Sequence, residues 1–246
     1  MVTHSQETAY RQDFASHGHF GPVTLMSPEE MGTLRKTISK LIDEKREAEK
    51  IYSAVTPENG PDDPVETIYD AHLYDEQVRR LATHPTLVAL AESMLGSKVS
   101  LWRSTFWIKS PGARRIEWHQ DTYKSEGLGS FPNINAWVAI DETTEDNCVW
   151  LVSGSHQSII DLQTFKSPDY VEKLKTSPRL PEPPVGAPHG VAKMILKSGQ
   201  CFLFDGRVLH GSQPNQSPGR RPGIVIRFIP ENLVLPNLKS TPIPLG

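Results

Sequence analysis

Cysteine is scarce in this chain: 246 residues hold two, Cys148 and Cys201, both inside apolar, strand-like runs. A disulfide-stapled secreted scaffold is thereby disfavoured, and without a CxxC pair the cysteines cannot build a structural zinc site, so buried thiols are expected. The sequon Asn215-Gln216-Ser217 carries no weight without secretion. No uncharged apolar run reaches membrane-spanning length, and the polar start "MVTHSQETAYRQDFASHGHF" lacks an apolar signal core. Basic residues show no excess either: 26 Lys and Arg stand against 29 Asp and Glu, a net charge of -3 with pI near 6.3. No Lys/Arg run can follow a phosphate backbone. These absences lead us to expect a soluble, cytoplasmic protein with neither nucleic acid nor membrane as partner. No internal repeat is visible. The length and the 37% hydrophobic content suit one domain spanning 1–246.

The first part of the chain, 1–98, reads as mostly helical. In "SPEEMGTLRKTISKLIDEKREA", Ser27 is an N-cap, Pro28 takes the first helical position, and Met31, Leu34, Ile38, Leu41 and Ile42 form one apolar stripe. The Pro/Asp/Gly-rich "TPENGPDDP" breaks the chain. A second helical block includes "EQVRRLATHPTLVALAESMLGS", interrupted at Pro85 and ended by Gly96.

From Val99 the hydrophobic period changes to two. The segments "VSLWRSTFWIKS", "NINAWVAIDET", "CVWLVSG", "MILKSGQCFLFDG", "RVLHGS" and "PGIVIRFIP" are short, β-branched or aromatic, and bounded by turn residues. This series predicts a mainly β protein, an antiparallel sandwich or barrel over 99–232 with packing helices from the N-terminal part. The stretch 166–190, with "SPRLPEPPVGAP", is too proline-rich for a central strand and is read as a lid-like insertion.

"WHQD" (118–121) raises the chemical question. On an extended strand His119 and Asp121 share a face, so both can reach one ion. His210, after an apolar strand and a glycine-containing turn, is the candidate third ligand. Two neutral imidazoles and one carboxylate leave open positions, an arrangement suited to non-haem Fe(II) and O2. Of the other histidines, His4, His17 and His19 read as solvated, His84 as capping or ending a helix, and His189 as part of the insertion. His72 could face the cavity or be a satisfied core residue. Eleven residues after His210, Arg221 shares strand parity with Gly223, Val225 and Arg227. A buried guanidinium demands an anion, and the far carboxylate of 2-oxoglutarate would meet that demand.

Residues 99–230 resemble the phytanoyl-CoA dioxygenase family of Fe(II)/2-oxoglutarate oxygenases, through "WHQD", "WVAIDETTEDNCVWLVSGSH" (137–156) and "LHGSQPNQSPGRR" (209–221). "HGHFGPVTLMSPEEM" is similar to the family's chlorinating branch, which serves specialised-metabolite biosynthesis. The resemblance implies a double-stranded β-helix (jelly-roll, cupin-like) core. It also implies His119, Asp121 and His210 as Fe(II) ligands, Arg221, Ser212 and Trp137 at 2-oxoglutarate, and Arg227, Phe106, Trp118 and His72 around the substrate. Asp146-Asn147-Cys148 replaces the family's Asn-Gly-Cys turn. Halogenating members replace the carboxylate ligand by a small residue, whereas Asp121 is retained here. The implied activity is therefore hydroxylation of an unactivated C–H bond in a small metabolite such as an amino acid, free or tethered to a carrier protein, with release of succinate and CO2. The other readings of the residues are a non-catalytic cupin-like metal-binding module, a zinc or manganese hydrolase, and a halogenase.

Overall fold

The period-two segments pair into two antiparallel sheets that face one another, and helices cover the outer side of the larger. The computed structural model describes residues 3–47, 52–53, 65–121, 128–187, 189–235 and 241–246. Along the chain come α1 (His4–His17), β1 (His19–Thr24), α2 (Pro28–Glu47), β2 (Tyr52–Ser53), β3 (Val65–Tyr69), α3 (Glu76–Ala82), α4 (Pro85–Leu95) and β4 (Val99–Lys109). The second half adds β5 (Ile116–His119), β6 (Ile134–Ala139), β7 (Val149–Val152), α5 (Pro168–Thr176), β8 (Val191–Met194), β9 (Gln200–Asp205), β10 (His210–Ser212), β11 (Arg221–Pro230) and β12 (Ile243–Pro244). The major sheet runs β1-β9-β6-β11-β4-β3-β2, with β12 also on β4, and the minor sheet runs β5-β10-β7-β8. This is the expected jelly roll. The N-terminal part is less helical than its sequence suggested, since β1 and β3 extend the major sheet; each is too short to outweigh the helical patterns beside it. The break "TPENGPDDP" lies outside the described residues. No helix among the described residues is long and apolar enough to cross a membrane.

The helical signals act as their chemistry dictates. Ser27 and Glu30 exchange backbone hydrogen bonds as a capping box, and all five stripe residues of α2 are buried. Pro85 starts α4 instead of merely interrupting a helix: it needs no N–H in the first turn, and His84 Nδ1 accepts the Thr86 N–H at 3.2 Å. The helices pack on the outer face of the major sheet, where Phe106, Ile108, Ile224 and Ile226 meet Met31, Leu34 and Leu87. A second core, including Trp137, Val149, Leu151, Phe204 and Val225, fills the space between the sheets.

Two bulges decide which side chains enter that space. On β4, Arg103 pairs with Arg227 but Leu101 with Phe228, so Trp102 is an extra residue and strand parity inverts there. On β5, His119 pairs with His210 but Ile116 with Ser212, which turns Trp118 outward and His119 inward. The insertion packs behind the minor sheet. Tyr170 and Leu180 bury Trp118 and Leu209, the Trp118 indole donates to the Pro181 carbonyl at 2.8 Å, and Arg115 holds the Ser177 and Leu174 carbonyls. It thus serves as an outer wall of the minor sheet.

Beside the α1–β1 junction His19, expected to be solvated, is instead buried, because it opens β1 in the major sheet, and it shares a 2.8 Å hydrogen bond with the Ser153 hydroxyl. Burial first, then the neighbouring His17 and His156, push its pKa down from 6.5 to about 4. The fold therefore favours the neutral ring, and this contribution is complete above the ordinary value and lost as pH falls through the interval down to about 4. We expect His19 to account for about 2 kcal/mol of the stability lost between about pH 7 and pH 5. Urea unfolding at the two pH values should show a smaller loss in His19→Gln.

Candidate metal and 2-oxoglutarate site

Three strand ends converge at one mouth of the sandwich. β5 ends at His119, β10 begins at His210 directly opposite it, and Asp121 lies just past β5, where its N–H donates to the Gly206 carbonyl at 2.8 Å. One ligand atom from each of His119, Asp121 and His210 falls within 4.8 Å of the others. The two imidazole centroids are 4.1 Å apart, and His119 Nε2 is 3.9 Å from Asp121 Oδ1.

Hydrogen bonding fixes the tautomers. His119 Nδ1–H donates to the Glu117 carbonyl at 2.8 Å and His210 Nδ1–H to the Val208 carbonyl at 2.9 Å. Because a carbonyl can only accept, each Nε2 is left with its lone pair for a metal. Burial foremost, with His119 beside it, pushes the His210 pKa down to about 4, so this ring is neutral at physiological pH. For Asp121, burial acts to raise the pKa, but Arg227, the two histidines and the Asn135 amide outweigh it and hold the carboxyl below its ordinary value. Asn135 Nδ2 donates to Asp121 Oδ2 at 2.9 Å, and an Arg227 nitrogen lies 3.8 Å from the same oxygen. Oδ1 is thereby left toward the histidines. Two imidazole Nε2 atoms and one ionised carboxylate are a donor set suited to Fe(II).

The cavity between the sheets runs from these three residues to Arg221. Arg221 is 2% exposed, its Nε and Nη1 have no hydrogen-bond partner, and its guanidinium carbon lies 5.3 Å from the Trp137 ring centre. Burial pushes its pKa down to about 10, with the Cys148 thiol as a small opposing influence. An unsatisfied buried cation is costly, and a bidentate carboxylate is the ligand its fork fits. Ser212 lies at the same end, where its hydroxyl accepts from Lys109 Nζ at 2.7 Å. A dicarboxylate keto acid therefore suits both ends of the cavity.

Of the residues expected to contact substrate, Arg227 lines this cavity and donates to the Thr105 hydroxyl at 3.1 Å. Trp118 lines a neighbouring cavity. Phe106 and His72 do not reach the site: Phe106 belongs to the helix-facing core, and His72 Nδ1 is bonded to Ser104, two residues from Phe106 on the same strand face. Two residues missed in the sequence stand out. Lys109, fully buried, is the register partner of Arg221 and binds Ser212 and the Gln213 carbonyl. Its strand parity with Thr105 and Trp107 was a usable signal. At Gly223 a Cβ would lie 2.2 Å from Trp137 Cζ2. Gly223→Ala should therefore displace Trp137 and weaken 2-oxoglutarate binding by about tenfold, as calorimetry on the metal-loaded protein would show.

The phytanoyl-CoA dioxygenase (PhyH) family model matches residues 14–223. An ectoine dioxygenase of Nocardia farcinica is 26% identical over 242 residues, covering 89% of this chain and 77% of that protein. The L-proline trans-4-hydroxylase of Streptomyces griseoviridis is 27% identical over 222 residues, covering 84% and 80% respectively. Among solved structures, the fold matches the epimerase SnoN from nogalamycin biosynthesis, in complex with Fe3+, alpha ketoglutarate and nogalamycin RO (TM-score 0.70, 18% identity, 98% and 96% coverage). It also matches EctD from S. alaskensis with bound Fe (TM-score 0.71, 20% identity, 100% and 83% coverage).

Proposed function

Since this chain belongs to the phytanoyl-CoA dioxygenase family and is an iron- and 2-oxoglutarate-dependent oxygenase, we propose that it hydroxylates an unactivated C–H bond of a small metabolite. His119, Asp121 and His210 are its iron ligands in this reading, with Arg221, Ser212 and Trp137 at the cosubstrate. The observation that carries the proposal is the joint presence, in one cavity, of an open three-donor metal site and, at its far end, a buried arginine whose Nε and Nη1 lack a hydrogen-bond partner. A metal-binding module without cosubstrate would have no use for that cation.

When bound, Fe(II) and 2-oxoglutarate supply the oxidising chemistry: one atom of O2 leaves in succinate as CO2 is lost, and the other enters the substrate C–H bond. The chain's residues supply position and dryness. His119 and His210 hold their Nε2 lone pairs ready through the Nδ1 bonds, so binding needs no tautomer change. Asn135 and Arg227 keep Asp121 ionised and oriented. Arg221 and the Ser212 hydroxyl, the latter fixed by Lys109, orient an anion along the cavity. Trp137, Val149, Phe204 and Val225 exclude water from its walls.

A small amino acid, free or carrier-tethered, is the substrate type we favour, in the biosynthesis of a specialised metabolite. The names of the proline hydroxylase and the nogalamycin epimerase support that setting. The test is turnover under 18O2 with Fe(II), 2-oxoglutarate and a panel of free and carrier-bound amino acids. A product heavier by one labelled oxygen, formed together with succinate, is expected. Succinate release with no labelled product from any panel member would contradict the substrate assignment.

A further inference from the structure

The inner cavity is committed at both ends, to the metal ligands and to Arg221, so a substrate must meet the metal from outside it. β7 runs antiparallel to β10, which begins at His210, so the segment following Val152 emerges at the metal-bearing end of the minor sheet. Gln120 ties this segment down: its amide donates to the Ser158 and Arg207 carbonyls at 2.9 and 2.5 Å, and its oxygen accepts the Ile160 N–H at 2.9 Å. Between the tied segment and Trp118–Gln120 lies a second, open cavity, and His119 forms part of the wall of both cavities.

The lining of this cavity is unusual for a protein surface. Ile159 and Leu162 are 41% and 56% exposed, and with Phe165 and Trp118 they make an apolar wall beside a metal ligand. Lys166 ends the wall, exposed and with no carboxylate in ion-pair range among the described residues. Apolar side chains left open beside a reactive centre, with one cation at the rim, suit a ligand of matching polarity.

We propose that this cavity holds the body of the substrate, and that of the two forms above it takes the free one: an amino acid or similar small organic acid with an apolar chain or ring lying on Ile159, Leu162 and Phe165 and its free carboxylate at Lys166. The assignment to substrate rests on the oxygenase reading above. The cavity's ability to bind such an acid does not.

Octanoate and octylammonium, equal in chain and opposite in charge, are the probes, titrated by calorimetry into the metal-free protein. Octanoate should bind more tightly than octylammonium. Leu162→Ser should weaken octanoate by about tenfold through lost apolar burial, and Lys166→Ala by about threefold, as befits an exposed ion pair. Arg221→Met should leave octanoate unchanged, which separates this cavity from the inner one. No octanoate binding, or binding indifferent to both Leu162→Ser and Lys166→Ala, overturns the proposal. Octanoate should also perturb the visible absorption of the anaerobic Fe(II)-2-oxoglutarate complex. Failure to form that absorption would overturn the oxygenase reading and the substrate assignment, while octanoate binding dependent on Leu162 would still establish the cavity.

Discussion

His210→Ala should bind Fe(II) more than about 100-fold more weakly than the parent, because loss of a residue that merely orients a metal ligand already costs about 10–100-fold. The residue is half-buried, its Nδ1–H is committed to the Val208 carbonyl, and Phe204 packs edge-on against the ring at 4.9 Å, so Nε2 is the nitrogen left for a metal. Alanine removes that donor and leaves a void beside Phe204, so some stability is lost as well. His119→Ala provides the control for this: it removes the facing ligand from a ring 42% exposed, where little packing is lost. Both variants should show the same defect in equilibrium dialysis against Fe(II) under nitrogen. Near-parental iron affinity in His119→Ala would remove this residue from the ligand set.

Arg221→Met should weaken 2-oxoglutarate by at least about 100-fold while leaving iron affinity nearly unchanged, since two charge-assisted hydrogen bonds are each worth about 1.5–3 kcal/mol. The same substitution should stabilise the ligand-free protein. Burial lowers the Arg221 pKa from 12.5 to about 10, so the folded state favours the neutral form and the cost of the charge is fully present at neutral pH, easing only as pH rises past about 10. That cost is on the order of 3 kcal/mol. Methionine fills the slot beside Trp137 without a charge. Calorimetry should therefore report lost cosubstrate affinity alongside a raised melting temperature. Unchanged 2-oxoglutarate affinity would transfer the anchoring role to Arg227 or Lys109.

Most of the architecture was legible because it is carried by local periodicity. The stripe of α2 and the alternation in β4, β6 and β11 each state their own burial. The convergence of His119, Asp121 and His210 was legible too, although simple alternation is not what achieves it: β5 carries a bulge at its end, and Asp121 is held beyond the strand by Gly206. Bulges leave no periodic trace. The one at Trp102 inverts parity along β4, so Val99 and Leu101 share the helix-facing core with Phe106 and Ile108 although their spacing is odd against even. Phe106 was expected at the substrate wall from the family resemblance alone; its register partner is Ile224, and both face the helices. Lys109 escaped notice because its partners, Ser212 and Gln213, are supplied by a strand more than a hundred residues away. The prolines of 166–190 ruled out a central strand but gave no sign of which surface the segment would cover, which depends on Trp118 facing outward.

The most direct test of the account is an anaerobic titration of the metal-free protein with Fe(II) and then 2-oxoglutarate, followed by visible absorption. Chelation of the keto acid by protein-bound iron should produce a metal-to-ligand charge-transfer band that requires the protein and is lost in His210→Ala. In Arg221→Met the band should appear only at much higher 2-oxoglutarate concentration. Iron bound at the site with no such band at any 2-oxoglutarate concentration would contradict the oxygenase assignment.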